Sequence, residues 1–356
     1  GITKTVPVER IEDALAAGLT ELGENRVQEA REKIPQLVAR HPTLRSFTGC
    51  DTPEIYDMIL NGHFDAFLVF GWNRKSFIQA IRACWKEKVP VLMRGDSTLN
   101  TTHSWPKALI KYLPYRWFLQ QLDAYLYVGK RNRDYLKHYG VADSRLFFAP
   151  HFVDNDFFAK GAERAEGEGK SSSLRKNFRI PKTAFVFLFV GKMIPKKRPA
   201  DFIKAALKLL DQTEGGGVHF LLVGDGPLRA SLESLAKPYS NRIHFTGFQN
   251  QSQMPAFYKA SNALVLPSNG DETWGLVVNE AFASGIPAVV SDAVGCATDL
   301  IEEGETGFTF PKGNLKVLAQ QMLSIKNIIE KRSNEISRHL GRKIKKGGVA
   351  LIRLND

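Results

Sequence analysis

The run from Leu264 to Ser291 constrains the fold more than any other part of the chain. Leu264–Leu266 is a short apolar run that stops at Pro267 and Ser268, as a buried strand stops at a loop. A helical pattern follows from Leu276 to Ala283. Gly285 suits a left-handed cap and Pro287 forbids continuation of the helix. Ala288–Ser291 is the next buried strand. Strand, loop, helix, strand is the repeating unit of a parallel α/β sheet. Its loop and helix N-terminus lie at the carboxyl end of the strands, where such sheets hold ligands. Amides around Trp274, Gly275, Leu276 and Val277 lack intrahelical acceptors, and the helix dipole makes that end attractive to an anion such as a diphosphate. Glu272 precedes the helix, and Glu280 lies about two turns inside it on roughly the same face. Carboxylates beside an anion site suit sugar hydroxyls better than phosphates. A surface helix with two solvated glutamates fits the same spacing equally well.

At 356 residues the chain is long enough for two domains, each with its own core. No apolar run approaches the length of a membrane span, and no secretory signal is recognised, so a cytoplasmic protein is expected. The three cysteines, Cys50, Cys84 and Cys296, are scattered, fit no metal spacing and point to a reducing compartment. The formal charge is +12, and residues 326–356 hold nine Lys/Arg against three Asp/Glu. That balance suits nucleotide diphosphates or anionic lipid. No aromatic-basic interleaving accompanies it, so no nucleic-acid partner is expected.

Strands and helices alternate along the whole chain, which implies mostly parallel sheets covered on both faces. Residues 1–44 read as two β/α units. From residue 45 onward, strands are expected at Phe64–Trp72, Val89–Met93, Ala124–Val128 and Arg145–Ala149, with helices between them. Trp105–Leu122 is a helix with wide apolar faces. A polar stretch rich in glycine and serine, Glu163–Lys176, reads as a linker. Beyond it Ala184–Val190 is a buried strand, followed by Gly191 and the cations Lys192, Lys196, Lys197 and Arg198. A glycine there lets backbone approach a ligand, and ammonium groups neutralise phosphate charge. A solvated loop is the plain alternative. His219–Val223 is a strand running into Gly224-Asp225-Gly226, a weak motif by itself.

The ordered set Pro267-Ser268, Glu272-Thr273-Trp274-Gly275-Leu276, Asn279-Glu280 and Gly285-Ile286-Pro287 closely resembles the donor-site signature of family 4 retaining glycosyltransferases. That resemblance implies two Rossmann-like domains facing a cleft, the architecture called GT-B. It implies a nucleotide-diphosphate sugar as donor and a hydroxyl acceptor. In those enzymes the residue matching Glu280 holds the donor ribose, and the one matching Glu272 sits by the transferred sugar. The amides of Thr273, Trp274, Gly275 and Leu276 contact sugar and diphosphate. Lys192 and Lys197 after Gly191 match the cations on the diphosphate, and Gly224 and Gly226 pack beside the base. Lys192 stands where arginine is commoner, which loses the bidentate fork. No acidic pair suited to a metal occurs in a fitting loop, so no metal and no cofactor are expected. Trp72, Arg94 and Asp96, at strand ends, resemble the acceptor side of the same enzymes. An Arg-Gly-Asp turn with its own salt bridge is the competing account of Arg94 and Asp96. His151 marks the crossover between the domains.

Residues 1–44 fit that family poorly. Thr3-Lys4-Thr5, Pro7 and the run from Leu22 through Glu24-Asn25 to Gln28-Glu29 closely resemble the pyridoxal phosphate homeostasis proteins, in which the residue matching Lys4 carries the cofactor. The glycine-rich phosphate loop of that family has no counterpart in this chain, so pyridoxal phosphate binding at Lys4 stands as the weakest reading. The expected plan is therefore a β/α fragment (1–44), an incomplete acceptor-side domain (45–160), a linker (161–180), a donor-binding domain (181–325) and a basic tail (326–356). The tail, with Arg342, Lys343, Lys345 and Lys346, presents either a solvated face or a contact with anionic membrane. The expected activity is sugar transfer with retention. A non-catalytic nucleotide-binding or partner-binding module is the alternative.

Overall fold

The computed structural model describes residues 51–100, 105–212 and 217–331. Lys4, the whole 1–44 segment and the basic residues 342–346 lie outside them. The chain forms two compact units. Of the described residues, the first contains 51–95, Trp105–Val128 and Leu136–Ala149; the second contains 96–100, Gly129–Tyr135, 150–212 and 217–331.

The first unit alternates α1 (Ile55–Gly62), β1 (Phe67–Val69), α2 (Lys75–Glu87), β2 (Val91–Gly95), α3 (Trp105–Gln120), β3 (Ala124–Tyr127), α4 (Lys130–His138) and β4 (Leu146–Phe148), the start of α4 being counted with the second unit. Its four strands pair in parallel in the order β1-β2-β3-β4. β1 is shorter than the strand expected over Phe64–Trp72, and it is not a buried one. It pairs only with β2 among the described residues, and Leu68 and Phe70 are 39% and 59% exposed. An edge strand loses its ladder, and its cover, on one side.

The second unit contains α5 (Asn155–Gly167), α6 (Lys170–Asn177), β5 (Phe185–Val190), α7 (Pro199–Gln212), β6 (Val218–Val223), α8 (Arg229–Ala236), β7 (Ile243–Gly247), α9 (Met254–Lys259), β8 (Ala263–Leu266), α10 (Leu276–Ala283), β9 (Ala288–Ser291), α11 (Ala297–Leu300), β10 (Gly307–Phe310) and α12 (Leu315–Lys331). Every residue of β5, β6, β8 and β9 is buried. That is why these strands read as unbroken apolar runs: a parallel sheet covered on both faces has no wet side to pattern. Phe187 stacks on Phe220 with centroids 5.7 Å apart, and Phe202, Phe310, Leu318 and Met322 complete one side of the core. The strand order is β10-β9-β8-β5-β6-β7, all parallel. The chain leaves β5 in one direction through β6 and β7, then returns to build β8, β9 and β10 on the other side. The order therefore reverses between β5 and β8.

The stretch expected as a linker is a correction. Residues 155–167 and 170–177 are helices α5 and α6. Asp154 caps α5 by accepting from the Phe157 amide at 2.9 Å. Phe158, Ala162 and Ala165 recur at helical spacing and are buried. The polar and glycine content hid this stripe. Gly161 is there for contact: a Cβ on it would lie 2.8 Å from Pro255 of α9. Gly161→Val should therefore cost about 1–3 kcal/mol through overpacking. Gly167→Ala, at a site with nothing within 4 Å, should be neutral or stabilise by up to about 1 kcal/mol. Urea denaturation of the two variants tests this, and equal effects would contradict the helical packing.

Adjacent strands β6 and β7 also bring two histidines together. His219 and His244 stack with centroids 5.3 Å apart, and Nδ1 of the first lies 3.0 Å from Nε2 of the second. Burial, followed by the charges of His244, Arg242 and Arg175, pulls His219 down to about 4; burial does the same for His244. Between the ordinary histidine value of about 6.5 and that lower value, the unfolded chain binds protons that the folded chain refuses. Stability should thus be complete at neutral pH and decline as pH falls from about 6.5 toward 4. In His244→Gln the melting temperature should fall less steeply across this window. A profile as steep as that of the parent would show that the pair is not its source.

Candidate active site

Ligands of open α/β sheets bind outside the carboxyl ends of the strands where the strand order reverses. Here that point lies between β5 and β8. The loop after β5 carries Gly191, Lys192 and Lys197, and the loop after β8 carries Glu272, Thr273, Trp274 and Gly275. The two loops are bonded together: the Asn269 amide donates to the Lys196 carbonyl at 2.9 Å. A side-chain contact joins them as well. Lys197 forms an ion pair with Glu272, and the two side chains are only 15% and 12% exposed. The sequence reading assigned these residues to diphosphate and to sugar separately; the fold makes them partners. Lys192, by contrast, is exposed.

The loop after β6 joins the same group through backbone contact. The Gly191 amide donates to the Val223 carbonyl at 3.0 Å and the Met193 amide to the Asp225 carbonyl at 2.9 Å. A Cβ on Gly224, whose φ is +133°, would lie 2.0 Å from the Gly191 carbonyl oxygen, and one on Gly226 would lie 2.6 Å from that of Met193. These glycines let the two loops lie against each other, a local role that a Gly-x-Gly spacing alone does not disclose.

Helix α10 opens at Gly275, whose φ is +102°. Two backbone bonds fix the residues before it: the Gly295 amide donates to the Glu272 carbonyl at 2.9 Å and the Cys296 amide to the Trp274 carbonyl at 3.0 Å. Gly295, absent from the sequence expectations, is required here, since a Cβ would lie 1.7 Å from the Thr273 carbonyl oxygen. The Trp274 side chain is buried, donates from Nε1 to Asn279 at 2.9 Å and meets the His151 ring edge-on at 5.9 Å. Only its backbone is available to a ligand. Leu276, the first residue of the helix, is 40% exposed.

Glu280 is mostly buried, and its Oε2 accepts from the Tyr258 hydroxyl at 2.6 Å. Burial raises the Glu280 pKa, and this bond opposes the rise; Tyr258, wholly buried, is itself raised by burial and by the carboxylate. Tyr258 closes α9 just before β8. Nothing in its spacing to Glu280 marks it, and the only cue is a tyrosine entering an apolar strand.

The residues expected on the acceptor side are divided. Asp96, which groups with the second unit, accepts from the Thr273 hydroxyl at 2.6 Å. Arg94, in the first unit, donates to the Ala149 carbonyl at 3.2 Å. Trp72 lies edge-on against Tyr115 and Phe118, with centroids 5.7 and 5.8 Å away, within an aromatic cluster of the first unit. Among the described residues no group of three or more His, Cys, Asp or Glu side chains is arranged to hold a metal ion, and no helix is long and apolar enough to cross a membrane.

Residues 170–342 match the family model described as Glycosyl transferases group 1. Alpha-D-kanosaminyltransferase of Streptomyces kanamyceticus is 29% identical over 190 residues, 53% of this chain and 47% of its own length. D-inositol 3-phosphate glycosyltransferase of Corynebacterium glutamicum (strain R) is 31% identical over 183 residues, 49% of this chain and 42% of its own. The chain thus spans about half the length of these curated relatives. Among solved structures, Anabaena Alr3699/HepE in complex with UDP is similar, with a TM-score of 0.63 and 18% identity, covering 90% of this chain and 79% of that one. At that identity the likeness establishes the fold, two parallel α/β sheets of the GT-B type. Residues 170–342, just under half of the chain, are thus similar to group 1 glycosyltransferase domains.

Proposed function

We propose that the chain transfers a sugar from a nucleotide-diphosphate donor to a hydroxyl acceptor with retention at the anomeric carbon. The observation that carries this reading is the convergence, at the strand-order reversal, of a cation-bearing loop and an acid-flanked helix start, linked by the Lys197–Glu272 ion pair. UDP is the nucleotide to test first, because the Anabaena protein binds it.

In the proposed mechanism Glu280 accepts hydrogen bonds from the ribose hydroxyls. Tyr258 holds one of its oxygens and so turns the other toward the sugar. The helix start supplies backbone amides to the diphosphate, with Lys192 and Lys197 adding positive charge. As the anomeric bond breaks, negative charge grows on the leaving diphosphate, and fixed cations and amides stabilise that charge more than they stabilise the ground state. The acceptor hydroxyl attacks from the face the diphosphate leaves, its oxygen bonding to the anomeric carbon as its proton passes to the departing diphosphate oxygen. Glu272 sits where the transferred sugar lies and keeps Lys197 in place. Asp96 accepts from the Thr273 hydroxyl and so steadies the same loop. A cytoplasmic site of action and contact of the basic tail with anionic membrane belong to this proposal. Lys4 has no part in the transfer.

Glu280→Ala should weaken UDP binding by about 1.5–3 kcal/mol, the range for hydrogen bonds involving a charged group. Tyr258→Phe should weaken it in the same direction and by less. Titration calorimetry reads both, and unchanged affinity in Glu280→Ala would remove the ribose role.

The reading as a whole is tested by incubating the full chain with UDP-hexoses and following release of UDP. Lys197→Ala should lower the rate of release by about tenfold or more while changing UDP affinity less, because its charge counts most on the leaving group. Loss of binding with the rate constant intact would reverse that assignment. Binding of UDP with no release and no transfer would favour a binding module.

A further inference from the structure

We infer that the recess between the end of α6 and the amino ends of β6 and β7 binds a dianionic phosphate, free or as the monoester of a small molecule. This inference does not rest on the proposed function. His219 and His244 are the second residues of β6 and β7, whereas the donor-side loops follow the carboxyl ends of the strands. About 15 Å of strand separates the two places. The recess has a volume of about 590 Å³, the size of a small-molecule site. Its wall combines the two imidazoles with Arg179, Arg242 and Asn241, and Phe178 gives it an apolar side. None of the described residues lining it is Asp or Glu.

The surroundings are positive and nothing offsets them. Burial, then the charges of His244, Arg242 and Arg175, holds the His219 pKa low, and no carboxylate among the described residues opposes them. The imidazoles are therefore neutral at neutral pH, and the charge of the recess is that of its two guanidiniums. Arg175 is committed elsewhere: it donates to the carbonyls of Pro181, Lys182, Ala184 and Ala260 and to the Asn262 side chain. The Arg179 guanidinium has no such partner among the described residues. Arg179 is exposed, and its φ of +54° is a left-handed conformation that the end of a helix usually gives to glycine or asparagine. A cation there offsets the helix dipole, but that accounts for one arginine and leaves Arg242 and the histidines unexplained. The carbonyls of Leu174, Arg175 and Lys176 at the end of α6 already accept from the amides of Phe178, Ile180 and Arg179, so they do not confront an anion. The histidines add a hydrogen-bond donor. Their rings lie 9° from parallel, with Nδ1 of His219 3.0 Å from Nε2 of His244, and one proton sits between those nitrogens. In either tautomer one of the two outer nitrogens, Nε2 of His219 or Nδ1 of His244, carries a proton to donate. Two guanidinium forks and a ring N–H match the oxygens of a phosphate. A singly charged carboxylate would leave one fork without a counter-charge.

The test is titration calorimetry of the full chain with inorganic phosphate and with glycerol 3-phosphate, glycerol serving as the uncharged control. Both anions should bind, with and without saturating UDP, and glycerol should not. Arg179→Gln, a surface change, should weaken both by about tenfold or more at an unchanged melting temperature. Arg242→Gln should weaken them in the same direction. Lys182→Gln, which removes an exposed cation beside the recess but outside its wall, should bind as the parent does. The proposal is overturned if neither anion binds, if Arg179→Gln binds as the parent does, or if Lys182→Gln loses as much as Arg179→Gln. It is also overturned if UDP displaces the anions, since the donor site would then be the one they fill. The arginine and lysine variants decide the matter whether or not the chain binds UDP, so failure here is distinct from failure of the transfer reading.

Discussion

The reversal of strand order between β5 and β8 is the constraint on which the second unit depends. A crossover helix on each side of that point leaves the two carboxyl-end loops adjacent and uncovered. Lys192, Lys197, Glu272 and Glu280 all come from one of those loops or from the helix that follows one of them. The strands contribute no chemistry. They contribute rigidity, because a sheet buried on both faces and close-packed with phenylalanine cannot shift its ends without opening voids.

Precision at the site comes largely from backbone. Gly191, Gly224 and Gly226 let one pair of loops touch, and Gly275 and Gly295 do the same for another. At each of these contacts a side chain on one glycine would collide with backbone or core atoms. The result is a platform of main-chain amides held by other main-chain groups, which is the least adjustable support a protein can build. Side chains then add what backbone cannot: Lys197 and Glu272 bring opposite charges, and Tyr258 fixes the orientation of Glu280.

Much of this was legible from the residues. α10 runs from Leu276 to Ala283 and β9 from Ala288 to Ser291, the spans their apolar pattern and flanking glycine and proline predict. Short apolar runs bounded by glycine, proline or serine read as buried parallel strands because a sheet covered on both faces has no wet side to pattern. α5 and α6 were not legible, since beyond Phe158 their buried positions are only Ala162, Ala165 and Ser171, set among glutamates, lysines and glycines. Side-chain partnerships were not legible either. Lys197 and Glu272 are 75 positions apart by their numbers, and only the sheet order makes them neighbours. Trp72 resembled an acceptor-side residue, yet its contacts are those of an aromatic cluster. A motif transmits residue identity; it does not transmit what the side chain touches.

The Lys197–Glu272 pair bears directly on the proposed chemistry. A half-dry lysine beside a carboxylate shares its field, so part of its attraction for a diphosphate is already used. The amides at the start of α10 have no such competitor, because a helix N-terminus has no intrahelical acceptors to offer them. Ground-state binding of the diphosphate should then rest mainly on amides, while Lys197 gains importance as charge accumulates on the leaving oxygen and outweighs that of Glu272. An ion pair placed this way shifts the cation's contribution from binding toward turnover, the division that raises rate rather than affinity.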